Sequence, residues 1–127
     1  MVIPIDVKID NFYRYYVELI NPIIKLRKRE LDVLAKLMYY NNEYKDLKED
    51  IRFKIVFDYD TKIKIAKELD ISLDVLNNNF SELRNKKIIN DNRLSKGFQI
   101  YHNTKEHKLT FKFDFKSNVN GKPRKNS

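Results

Sequence analysis

The chain has 127 residues, with 26 Lys and Arg against 18 Asp and Glu (net charge +8) and 42% hydrophobic residues. That is one domain of ordinary size with enough apolar side chain to build a core. With no cysteine, a disulfide scaffold and a thiolate-bound zinc are excluded, and no apolar run approaches the roughly 18 residues of a membrane span. The opening MVIPIDVKID lacks the basic-then-apolar layout of a signal peptide, so the expectation is an intracellular product.

The charge is unevenly spread. Four of the 26 cations, Lys116, Lys122, Arg124 and Lys125, lie in the last twelve residues, which contain no acid. Residues 1–115 therefore hold 22 basic against 18 acidic side chains, a net of +4, and 116–127 read as a basic tail. Such a tail is either an electrostatic arm for a partner or a solubilising extension.

In chain order, residues 2–9 alternate, with Ile3, Ile5, Val7 and Ile9 on one face. This predicts a strand, which Pro4 confines to a sheet edge. Asp10 or Asn11 is suited to cap a helix through FYRYYVELI, expected to stop before Pro22. A second helix is predicted over 28–47. Its apolar positions form two adjacent stripes, Leu31, Leu34, Ala35 and Met38 beside Val33, Leu37, Tyr40, Tyr44 and Leu47, which makes it the central helix of the core. The alternation of Ile51, Phe53, Ile55 and Phe57 favours a short strand over a helical turn.

Asp60 is the expected cap of a helix over 61–69. Asp70 then takes the turn position where a left-handed conformation is needed, and Ser72 caps the next helix. In that helix Leu76, Phe80 and Leu83 recur at core spacing, leaving Asp74, Asn77, Asn78, Ser81, Glu82 and Asn85 outward. A helix, a three-residue turn, a second helix and a hairpin over 88–101 is the order of a winged helix-turn-helix. Finally LTFKFDF alternates, with Leu109, Phe111, Phe113 and Phe115 on one face, and predicts a second added strand. The two added strands are expected to pair either with each other over the core or with a neighbouring subunit. The expected fold class is therefore α+β: a single domain over 1–115, with helix-turn-helix 60–87, wing 88–101, extra edge strands 2–9 and 108–115, and the tail 116–127.

The outward helix face has mixed chemistry. Asn77, Asn78 and Ser81 are able to contact base edges in a major groove, whereas Asp74 and Glu82 beside them repel phosphate. Arg84, Lys86 and Lys87 complement the helix dipole at its end and need no nucleic acid to explain them. Arg93 and Lys96 at the wing tip are able to touch phosphate, but any exposed turn carries such charges. The case for catalysis is poor. His102 and His107 flank Glu106 on a polar stretch without further metal ligands, and the sequence has no glycine-rich phosphate loop, no cysteine and no serine in a strained strand-turn-helix context. The reading is a non-enzyme with no cofactor, metal or small-molecule substrate.

LRKRELDVLAKLMYY, followed by KIAKELDIS and VLNNNFSELRNKKIINDNRL, resembles small winged-helix proteins of tailed bacteriophages, particularly the crAss-like phages. The resemblance covers about residues 26–94, and NNNFSELRNKKII is its most distinctive piece. Where such proteins often have Thr before the central helix, this chain has Arg27, which removes a cap. The resemblance implies a virion structural protein: a subunit of a head-tail connector or tail-barrel ring, binding itself in a cyclic oligomer and other virion proteins. The alternative is a cytoplasmic, phage-encoded DNA-binding regulator, with the helix over 73–87, its candidate contacts including Arg84, in the major groove and the wing and the tail on phosphates.

Overall fold

Seven apolar side chains of one helix, Leu31, Val33, Leu34, Ala35, Leu37, Met38 and Tyr40, are buried, and the rest of the fold is arranged around them. This is α2 (Lys28–Glu43), shorter at its C-terminal end than the sequence pattern predicts. The computed structural model describes residues 2–8, 11–102 and 108–114, which belong to two units, Tyr13–Asn103 and Met1–Phe12 with Thr104–Ser127.

In the first unit, α1 (Phe12–Ile24) precedes α2 and buries Tyr13 and Val17. It runs on through Pro22 instead of stopping there. Pro22 is exposed and near the helix end, so its cost is one missing hydrogen bond at a solvent-facing turn. The chain then reverses at Lys25 (φ 55°). Asn21 clasps this turn: its Oδ1 accepts from Leu26 N at 2.7 Å and its Nδ2 donates to Leu26 O at 3.2 Å. Arg27 is the N-cap of α2 and has no side-chain oxygen to accept from the first turn, but Glu30 Oε1 accepts from Arg27 N at 3.0 Å, the reciprocal half of a capping box.

Residues 51–57 form no strand. They lie largely in α3 (Glu49–Val56), where Arg52, Phe53 and Val56 are buried and Ile51 is exposed. Burial at i, i+1 and i+4 is helical spacing. It was hidden because one of the inward side chains is an arginine. The helix α4 (Tyr59–Leu69) is capped by Asp58, whose carboxylate accepts from Thr61 N at 2.8 Å, and not by Asp60. Asp70 is left-handed (φ 56°, ψ 49°), and Ile71 N bonds back to Ala66 O at 2.9 Å to close the turn. Ser72 caps α5 (Leu73–Asn85) by accepting from Val75 N, and Leu76, Phe80 and Leu83 are fully buried. Phe80 meets Phe57 edge to face, with ring centroids 5.9 Å apart.

The expected wing is not a stranded hairpin. After α5 the chain folds over on a tight turn with positive φ at both Asp91 and Asn92, as a type I′ turn requires, but only one bridge forms, Ile89 to Leu94. Ile88, Ile89 and Leu94 are buried, and Lys96–Phe98 is a single 3-10 turn. Burying those three side chains holds the segment against the body without a ladder.

These findings overturn the α+β winged-helix assignment. The described part of the unit Tyr13–Asn103 is built of five helices with no strand, so it has no sheet to which a wing or edge strands belong. In the other unit β1 (Val2–Lys8) and β2 (Lys108–Asp114) pair with each other, antiparallel, with Ile3 opposite Phe113, Ile5 opposite Phe111 and Val7 opposite Leu109.

Candidate interaction surfaces

Each proposed contact on α5 is on its outer face: Asp74, Asn77, Asn78, Ser81, Glu82 and Arg84 are all exposed. They follow from the helix period once Leu76, Phe80 and Leu83 point inward. The hydroxyl of Ser81 donates to Asn77 O at 3.2 Å, and the Arg84 guanidinium lies 6.0 Å from the Phe80 ring. Asn79, between the two faces, is buried and bonds its own helix at Val75 O.

This face does not stand alone. Asn78, Ser81 and Glu82 form one wall of a cleft of about 430 Å³ whose other wall is the start of α2, with Arg27, Arg29 and Glu30. Close by, Lys86 Nζ donates to Lys25 O at 2.7 Å, which ties the end of α5 to the α1–α2 turn. The run KLRKR over 25–29 is plain in the sequence, but nothing in the spacing shows that α5 packs beside it.

Arg93 is differently placed. Its guanidinium bonds Glu49 Oε1 at 2.8 Å and Asp50 Oδ1 at 2.5 Å, so it fastens the 88–95 segment to the start of α3. The hydrogen bond from Arg93, helped by its charge, holds the Asp50 carboxyl below the usual range. Lys96 is exposed on the 3-10 turn. The four tail cations, Lys116, Lys122, Arg124 and Lys125, lie outside the described residues, as does His107.

Another arginine is internal. Arg52, only 7% exposed, donates through Nε to Asn41 Oδ1 at 2.8 Å and through Nη1 to Leu47 O at 3.2 Å. It packs over Phe53 (4.9 Å) and Tyr101 (5.6 Å), and among the described residues no carboxylate pairs with it. Neutral acceptors and ring faces therefore take the place of a counter-ion. Asn41 also donates to the Tyr101 hydroxyl at 3.2 Å, so the network joins α2, α3 and the segment after the 3-10 turn.

His102 belongs to the same seam. Its backbone N–H donates to Asn42 Oδ1 at 3.1 Å and its carbonyl accepts from Lys45 Nζ. Burial, with Lys45 nearby, lowers its imidazole pKa despite the opposing pull of Glu43. Among the described residues no group of three or more His, Asp or Glu is placed to hold a metal. On the opposite side of α2, burial tends to raise the Glu68 pKa, but hydrogen bonds from Tyr40 (2.6 Å) and Lys36 (3.0 Å) outweigh it and the net shift is downward.

The outer side of α1 is apolar. Tyr15, Leu19 and Ile23 recur every four residues and are 45%, 40% and 82% exposed, while Tyr13 and Val17 fill the inner side. No helix of the described residues is long and apolar enough to cross a membrane. No protein-family model, curated protein or solved structure matches the chain significantly.

Proposed function

We propose that the chain is a non-enzymatic assembly subunit that binds further copies of itself, in a virion ring of the head-tail connector or tail barrel as its phage resemblance implies. The observation that carries this reading is the outer stripe of α1. A helix apolar on two opposite sides is normally covered on both, and here Tyr15, Leu19 and above all Ile23 stay exposed among the described residues. Covering Ile23 alone is worth about 2 kcal/mol at full burial, and a ring repeats that gain at every subunit boundary. The β1–β2 ribbon supports the same reading. A two-stranded ribbon is marginal by itself, and each of its strands has an outer edge with no strand beside it among the described residues.

The regulator reading receives less support. Asp74 and Glu82 remain exposed among the amides of α5, and Arg93, one of the wing's two expected phosphate contacts, is held by two carboxylates.

Sedimentation over a wide concentration range tests the assembly reading. The wild type should associate into a closed oligomer, and Leu19→Asp with Ile23→Asp should return it to a monomer with unchanged helicity. A wild type that stays monomeric at the highest attainable concentration refutes self-assembly through α1.

A further inference from the structure

The first residues of α2 are electrostatically out of place. A helix N-terminus carries roughly half a positive charge, which acids relieve, yet this one begins Arg27, Lys28, Arg29. The nearest relief, Glu30, is buried with its carboxylate committed to Arg27 N. A second element adds to the concentration of charge. Lys86, at the end of α5, reaches the Lys25 carbonyl with one of its three N–H donors and keeps two.

Among the described residues none of Lys25, Arg27, Lys28, Arg29 or Lys86 forms an ion pair, whereas Arg14, Lys36 and Arg93 all do. Arg27 and Arg29 face α5 across the cleft that also contains the Asn78 amide. Lys86 complements the dipole at the end of α5, and Glu30 and Glu82 line the cleft with Arg27 and Arg29, but five cations against two acids leave a local excess of positive charge that a bound anion offsets.

We infer that the α1–α2 turn and the α2–α5 cleft bind the sugar-phosphate backbone of duplex nucleic acid, without reading its bases. The cations are exposed and strung along residues 25–29 with Lys86 beside them, an arrangement that fits a line of phosphates better than one buried anion. Arg27 and Arg29 offer planar donor forks to phosphate oxygens, and Asn78 a neutral donor to sugar or phosphate. Glu82 shares the cleft and forms no ion pair, so it opposes the phosphates and keeps the affinity low. This site is independent of the α1 stripe and makes a different use of α5 from groove reading.

Fluorescence anisotropy of a labelled random duplex of about 20 base pairs, titrated with the full chain at several salt concentrations, tests the inference. Five neutralised phosphates, one for each of these cations, predict a log–log salt slope near −4.5, from about 0.9 per contact. Arg27→Ala with Arg29→Ala should weaken binding at least tenfold at low salt and flatten the slope by about 2. Glu82→Gln should strengthen binding severalfold, and Lys48→Ala with Lys54→Ala, at the N-cap and in the last turn of α3, should change it less than twofold. Thermal melts of the same variants verify folding. No binding at low salt overturns the inference, as does an equal loss in the α3 variant. Displacement by polyglutamate as effective as by unlabelled duplex also overturns it, because the site then takes any acidic chain.

Discussion

Arg93 and Lys86 lie seven positions apart near the end of the helical body, and only one of them has charge to spare. Arg93 is turned onto the start of α3, where Glu49 and Asp50 neutralise it. Lys86 is turned onto the α1–α2 turn, where its acceptor is a carbonyl and its neighbours are cations. On the α3 side Arg93 is answered by two carboxylates like a latch, whereas the α2–α5 side has the composition of a surface awaiting its counter-charge. Formal charge in the sequence is therefore a poor guide to the charge a partner would meet.

Substitutions at three arginine environments sharpen that contrast, and the largest effect is expected at the most enclosed one. Arg52→Ala removes one buried and one part-buried hydrogen bond and two ring contacts and strands the Asn41 carbonyl, so unfolding in urea should show a loss of about 3 kcal/mol. In the α2–α5 cleft, Arg27→Ala with Arg29→Ala should leave stability within about 0.5 kcal/mol of wild type. Duplex affinity should nevertheless fall by the tenfold given above. A large loss of stability there would place those arginines in the structural class and dissolve the contrast.

The next effect is set by pH. His102 has a pKa below its ordinary 6.5 in the folded state, so the unfolded chain takes up its proton first. The stabilisation is complete above 6.5 and is lost as pH falls through and below it. Melting temperature should decline between about pH 7.5 and 5.5, and His102→Gln should remove that part of the decline. Asp50 and Glu68, whose pKa values are lowered, contribute stability above the ordinary carboxylate range and lose it at lower pH. Arg93→Ala should have the smallest effect: a slight fall in melting temperature that disappears in high salt, with duplex binding unchanged. A clear loss of binding in that variant would make the latch part of the nucleic-acid surface.

The helices with a regular apolar period were legible from sequence. The repeat of Leu76, Phe80 and Leu83 located α5 and its outward row, and Asp70 and Ser72 located the turn before it. Where the reading failed, a tertiary contact had replaced a local signal. Residues 51–57 look alternating only if Arg52 is assumed to face water, and its partners Asn41 and Tyr101 are 11 and 49 positions away. The segment 88–101 has the turn chemistry of a hairpin, but burial of Ile88, Ile89 and Leu94 fixes it with a single bridge. The charged cleft was visible in one half, the run at 25–29; its other half comes from the packing of α5 against α2, which no local period encodes.

The Asn21 clasp has a consequence for this last point. By bonding both backbone groups of Leu26, it fixes the conformation from which Lys25, Arg27 and Arg29 project, so the conformational entropy of that turn is lost on folding and not on binding. Asn21→Ala keeps every cation and the same salt slope but releases the turn. Its affinity for duplex should fall while the number of phosphates neutralised stays constant, which separates preorganisation from charge.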